Sequence, residues 1–212
     1  MISRLHYITQ DLPDFSHAQL AEFACKGGAD WIQLRVKNKS HEEWKKIAEE
    51  TKAACKKFGA KLIINDNVRL AKEISADGVH LGKDDMDPKK ARKILGNNFI
   101  IGGSTNTIDD VKKQIENGCD YIGIGPFRFT STREKLNPFL GLQGIRIIAE
   151  QFGNKIPMIA IGGIKLEDVE TLMKTGVHGV AVSSGINLSE NKTAETKRFL
   201  ASPGIAKAIT QL

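Results

Sequence analysis

The sequence predicts a single-domain α/β fold, a (β/α)8 barrel of the TIM class, over residues 1–212. Short apolar runs rich in β-branched residues recur eight times, each followed by a helix-patterned segment. That alternation is expected of parallel strands joined by crossover helices. The runs are continuous rather than alternating, which suits strands buried on both faces. The first is followed by DLPDFS, without the glycine fingerprint that opens many doubly wound sheets, so a closed barrel is preferred to an open sheet. A chain of 212 residues also falls within the roughly 200–250 that such barrels occupy as one domain.

In chain order, LHYIT (5–9) leads to a helix over 16–27 that opens on Ser16 and closes on Gly27. WIQLRV (31–36) leads to 40–58, where Ser40 and Glu43 have capping-box spacing and Gly59 follows. KLIIN (61–65) precedes a helix over 67–75, and GVHLG (78–82) one over 87–96 that ends on Gly96. FIIGG (99–103) precedes 107–118, capped by Thr107 and ended by Gly118. YIGIG (121–125) is separated from its helix, 142–152, by a long connection within GPFRFTSTREKLNPFLG. MIAIG (158–162) precedes 165–175, ended by Gly176, and GVAVS (179–183) precedes 193–212. Ser and Thr hydroxyls satisfy first-turn N–H groups, while glycine readily takes the left-handed conformation that ends a helix.

Composition narrows the function. The chain is 41% hydrophobic and 26% charged, ordinary for a soluble globular protein. No apolar run reaches the roughly 18 residues of a membrane span, and MISRLHYITQ lacks a signal-peptide core, so a cytoplasmic location is expected. Cys25, Cys55 and Cys119 fit neither a disulfide framework nor a metal-ligand spacing, and the first two read as buried small hydrophobes. Lys and Arg total 31 against 25 Asp and Glu, a net charge of +6 that admits an anionic partner. The lysine pairs at 45–46, 56–57, 89–90 and 112–113 are spread over helical faces rather than gathered in a stripe, so neither nucleic acid nor membrane is expected. The oligomeric state, a homo-oligomer included, is left open.

In this fold class the site lies at the C-terminal strand ends. The second strand ends QLRVK, with Gln33, Arg35 and Lys37 at alternate positions and hence on one side of an extended chain. Two cations and an amide facing one way favour a clamp for phosphate oxygens over a merely solvated strand exit. The third ends IIND, giving Asn65 and Asp66, and the fourth HLGKDD, giving Asp84 and Asp85. Carboxylates at neighbouring strand ends suit a hard cation such as Mg2+ that also takes phosphate oxygens. DDMDP serves equally well as a helix entry, with Asp84, Asp85 and Asp87 as caps. His80 reads as a satisfied interior histidine rather than a ligand or base. The fifth strand ends GGSTNT, offering Ser104 and Thr105. The seventh ends IAIGGI, with Gly162 and Gly163, and the eighth VAVSSGI, with Ser183 and Ser184. The loops after strands seven and eight frequently build phosphate sites in these barrels.

QLRVK, IIND, GVHLGKDD, GGST, GPFRFTST, AIGGI and GVAVSS, in that order and spacing from about residue 5 to 200, resemble the thiamine phosphate synthase family. The resemblance implies an enzyme acting on small phosphorylated substrates. It would join 4-amino-5-hydroxymethyl-2-methylpyrimidine diphosphate to a thiazole phosphate, carboxylated or plain, and release diphosphate. It further implies that Gln33, Arg35, Lys37 and Asn65 contact the pyrimidine diphosphate, that Asp66 and Asp85 hold Mg2+, and that Ser104 meets the pyrimidine. Thr130, Ser131 and Thr132, with Gly163, Ser183 and Ser184, would hold the thiazole phosphate. Arg35, Lys37 and Arg133 would stabilise charge on the leaving diphosphate.

The family carries lysine where Arg133 stands; Glu134 and Lys135 follow, and Lys135 is a second candidate for that charge. Many members have glutamine at the place of Lys83 and histidine at that of Asn106. A related thiazole tautomerase branch has histidine where Pro126 stands, and a non-catalytic precursor-binding regulator is expected to have lost Arg35, Asp66 or Asp85. All four residues favour the synthase. On this reading the long connection after strand six is a lid that brings Thr130–Thr132 and Arg133 over the substrates and excludes water.

Overall fold

The computed structural model describes residues 1–128 and 139–206. Its elements run β1 (Leu5–Ile8), α1 (His17–Lys26), β2 (Trp31–Leu34), α2 (His41–Lys57), β3 (Lys61–Asn65), α3 (Val68–Glu73), β4 (Gly78–Leu81) and α4 (Pro88–Leu95). They continue with β5 (Ile100–Thr105), α5 (Ile108–Glu116), β6 (Tyr121–Ile124), α6 (Gly141–Phe152) and β7 (Met158–Ile161). A 3-10 turn (Leu166–Asp168) runs into α7 (Val169–Met173), followed by β8 (Gly179–Val182), α8 (Ser184–Asn187) and α9 (Lys192–Leu200). The strands pair in parallel and in chain order, and β8 closes on β1 through Leu5↔Val180 and Tyr7↔Val182. The predicted barrel is present.

Local chemistry explains most boundaries. Ser16, Ser40 and Thr107 each accept from the N3 backbone N–H, and Gln19, Glu43 and Asp110 reach back to complete three capping boxes. Asn67, Asp87 and Asn191 cap α3, α4 and α9. Gly59, Gly96, Gly118 and Gly176 all have positive φ beyond their helices. Gly27 differs: its φ is −75°, and Gly28, at 101°, makes the left-handed turn. A Cβ on Gly27 would stand 2.6 Å from Thr196 Cβ, so this glycine serves the close approach of α1 to α9.

Several predicted spans are longer than the elements. The run WIQLRV leaves the sheet at Leu34, because Arg35 and Lys37 lie beyond the paired strand. The expected helix over 193–212 is α9, ending at Leu200; 207–212 lie outside the described residues. The one-turn α8 was not foreseen, since SSGIN carries too few residues for a 3.6-residue period to register.

The core has two shells. Leu5, Tyr7, Ile32, Leu34, Leu62 and Ile64 face the helices, all within one apolar cluster. The alternate positions Ile8, Trp31, Ile63, Tyr121, Ile159 and Ala181 fill the barrel. His6 stacks on Trp31 with centroids 4.2 Å apart, and Tyr121 meets Trp31 edge-on at 5.4 Å. Gly102 makes room for this plug, since a Cβ there would lie 2.2 Å from Tyr121 Cζ. Two residues further along β2 and β3, Trp31 and Ile63 give way to Gln33 and Asn65. Low down the barrel is thus filled by aromatic and aliphatic side chains with His6 among them, and it becomes polar towards its C-terminal end at Gln33 and Asn65.

Candidate active site

The floor of the mouth is made of polar side chains that bond one another, all buried except the half-buried Ser104. Gln33 Nε2 donates to Asn65 Oδ1 at 2.9 Å. His80 bonds Ser104 Oγ through Nε2 and Tyr121 Oη through Nδ1, both at 3.0 Å. Gly123 leaves space for the imidazole, because a Cβ there would sit 3.2 Å from His80 Cε1. His80 is therefore a bonded interior histidine, as expected, and it ties Ser104 to the aromatic plug.

Around the rim on the β2–β4 side stand Arg35, Lys37, Asp66 and Asp85. Arg35 and Lys37 are half-buried, whereas Leu34 before them and Val36 between them are buried, so the alternation continues past the strand. The backbone N–H of Arg35 donates to Thr9 Oγ1 at 3.2 Å; Thr9 in turn bonds His17 Nδ1 at 2.8 Å, and His17 Nε2 meets Asp11 at 3.2 Å. This chain of three side chains behind Arg35 had no signal in the sequence. Asp66 takes a left-handed φ of 65°, a conformation that aspartate tolerates better than most residues. Its N–H reaches His80 O at 2.8 Å, which extends the β3–β4 pairing by one residue past Asn65.

The DDMDP stretch divides its duties. Asp87 caps α4 through Lys89 N and also accepts from Asn117, whereas Asp85 accepts from Gly82 N at 2.6 Å and lies exposed in the loop. Lys83 bonds Asn106 and pairs with Asp110, so two of the positions at which this chain departs from the resembled family touch each other. Burial raises the Asp110 pKa, but hydrogen bonds from Lys83, Asn106 and Thr107 outweigh it and hold the carboxyl below its usual range.

On the β6–β8 side, Gly162 and Gly163 follow β7 with φ of 109° and 65°. Pro126 and Phe127 pack so closely on Gly162 that a Cβ would lie 2.6 Å from Pro126 Cβ. Ser183 Oγ donates to Gln10 at 3.3 Å, and the buried Asn187 donates to Ser183 O and Oγ and to Ile8 O. Ser184 is the first residue of α8. Arg128, Asp168 and Asn187 are structural supports of this half that the sequence did not single out. Thr130, Ser131, Thr132, Arg133 and Lys135 lie outside the described residues, as does most of the connection read as a lid.

Asp66 and Asp85 offer two oxygen donors at neighbouring strand ends, and no group of three or more His, Cys, Asp or Glu that could hold a metal ion occurs among the described residues. Such a pair does not form an all-protein cage. It fits Mg2+, which keeps waters and takes remaining ligands from substrate phosphates.

A family model described as thiamine monophosphate synthase matches residues 5–186. A thiamine-phosphate synthase of Bacteroides fragilis is 48% identical over 199 residues, covering 92% of this chain and 98% of the relative. One from Flavobacterium johnsoniae is 49% identical over 195 residues, covering 91% and 92%. Among solved structures, a thiamine phosphate pyrophosphorylase from Pyrococcus furiosus superposes with a TM-score of 0.84 at 31% identity, covering 98% of this chain and 96% of that one.

Proposed function

The chain belongs to the thiamine monophosphate synthase family, and we infer that it acts as a thiamine-phosphate synthase. It joins 4-amino-5-hydroxymethyl-2-methylpyrimidine diphosphate to a thiazole phosphate, giving thiamine phosphate and diphosphate, with loss of CO2 when the thiazole is carboxylated. The observation that carries this reading is a single barrel mouth with two unlike halves. Arg35, Lys37, Asp66 and Asp85 stand on one side, and the Gly162–Gly163 turn with Ser183 and Ser184 on the other.

The β2–β4 half takes the pyrimidine diphosphate. Arg35 and Lys37 hold its phosphate oxygens, and the Gln33–Asn65 pair and Ser104 line the floor beneath the ring. Asp66 and Asp85 would hold Mg2+, which when bound neutralises charge on the diphosphate. The bond from the pyrimidine methylene to the diphosphate oxygen breaks first, and the electron pair leaves with diphosphate. Arg35 and Lys37 oppose that growing negative charge from fixed positions. The thiazole nitrogen then donates its lone pair to the methylene carbon. Gly163, Ser183 and Ser184 hold the thiazole phosphate during this step, with Thr130, Ser131 and Thr132 joining them on the family resemblance alone, as does Arg133 at the diphosphate. No protein nucleophile is required.

Three free thiols suit a reducing compartment, which supports a cytoplasmic location. The reaction is tested by supplying both precursors and Mg2+ to the purified protein. Thiamine phosphate and diphosphate are expected in equal amounts, and absence of product at saturating substrate would refute the assignment.

A further inference from the structure

We propose that Arg128, locked by Asp168, is the positioning residue that aims the Gly163 and Ile164 amides at the thiazole phosphate. The inference rests on the phosphate-site reading above. Arg128 lies at the exit of β6 and grips the β7 exit at several points. Its backbone N–H donates to Gly162 O at 3.0 Å, and its guanidinium donates to Gly163 O at 3.0 Å. The same guanidinium forms a two-point pair with the Asp168 carboxylate, of which only 9% of the side chain is exposed. Asp168 also accepts from Lys165 N at 2.8 Å, which ties the pair to the 3-10 turn after the glycines. Phe127 N donates to Ile161 O at 2.8 Å and continues the contact backwards along β7.

The consequence follows from peptide geometry. In a trans peptide the C=O and the next N–H point in opposite directions. Two successive oxygens, of Gly162 and Gly163, are turned onto Arg128. The N–H groups of Gly163 and Ile164 are therefore both turned away from it, side by side. Successive backbone N–H groups facing one way form an anion-binding concavity. Gly163, which links these two peptides, has a φ of 65°, and Gly162 before it one of 109°, both in the region that favours glycine. Arginine suits the task because its planar fork supplies several donors in fixed directions, which lysine does not. Arg128 need not touch substrate; it acts through the two peptide planes.

The test uses Arg128→Met and Asp168→Asn in the full chain, with Ser183→Ala as the probe of the phosphate site itself. For both clamp variants the KM for thiazole phosphate is expected to rise about tenfold or more. The KM for pyrimidine diphosphate should stay within about twofold, and competition by inorganic phosphate against thiazole phosphate should weaken in parallel. Should Arg128→Met fail to fold, the near-isosteric Asp168→Asn decides alone. An unchanged thiazole phosphate KM in the clamp variants, alongside a raised one in Ser183→Ala, overturns the role of Arg128 and leaves the phosphate site standing. An unchanged KM in all three removes the phosphate-site reading, and the inference with it. An equal rise in both KM values marks a merely structural role and also overturns the inference.

Discussion

Gln33 donates its side-chain amide to Asn65 Oδ1 at 2.9 Å across the ends of β2 and β3, where both residues are buried inside the barrel. An unsatisfied buried donor costs about 1–3 kcal/mol, whereas removing both partners can be nearly neutral. Asn65→Leu should therefore lower stability by about that amount in denaturant titrations. The double variant Gln33→Leu/Asn65→Leu should recover much of the stability while its kcat/KM for pyrimidine diphosphate stays low.

Gly102 is the gap into which Tyr121 fits. A methyl group there meets the ring at 2.2 Å, and the ring cannot simply retreat, because Tyr121 Oη is bonded to His80 and His80 to Ser104. Gly102→Ala is expected to cost about 1–3 kcal/mol of stability, read from thermal or urea unfolding. The KM for pyrimidine diphosphate should rise as Ser104 is displaced.

His6 is fully buried against Trp31, and burial, with repulsion from His80 and His178, drives its pKa well below the usual value. The unfolded chain therefore binds a proton near pH 6.5 that the folded chain refuses. Stability from this residue is complete above about pH 6.5 and declines as pH falls below it, by at most about 1.4 kcal/mol per unit. Melting temperatures between pH 7 and 5 should fall accordingly, and His6→Phe should flatten the slope. A steeper slope in the variant would contradict the assignment.

Asp66→Ala and Asp85→Ala are each expected to lower turnover by about a hundredfold or more and to shift the Mg2+ requirement to higher concentration. Chelation of divalent ions should abolish the wild-type rate and leave the unfolding temperature nearly unchanged, because the barrel is closed by strand pairing between β8 and β1 and filled by apolar side chains. Rates unaffected by either substitution would refute the metal assignment.

The barrel was legible because continuous apolar runs and capped helices repeat eight times, and the caps at Ser16, Ser40 and Thr107 fell where hydroxyl chemistry places them. Alternation past the second strand was legible in the same way: Arg35 and Lys37 are half-buried where Leu34 and Val36 are buried, while Gln33 is buried inside the barrel. Contacts between residues distant in the chain were not. Arg128 meets Asp168 across 40 positions, Tyr7 meets Asn187 across 180, and Arg35 leans on Thr9 across 26. Only closure of the barrel brings such pairs together. The split within DDMDP, with Asp87 on the helix and Asp85 on Gly82, was likewise undecidable from residue types that serve both ends.

The central claim, one mouth with a diphosphate half and a thiazole phosphate half, is tested most directly by the two substrate KM values in Arg35→Ala and Ser183→Ala. Arg35→Ala should raise the KM for pyrimidine diphosphate about tenfold or more with little change for thiazole phosphate, and Ser183→Ala should do the reverse. Equal effects of each variant on both substrates, or the opposite pairing, would contradict it.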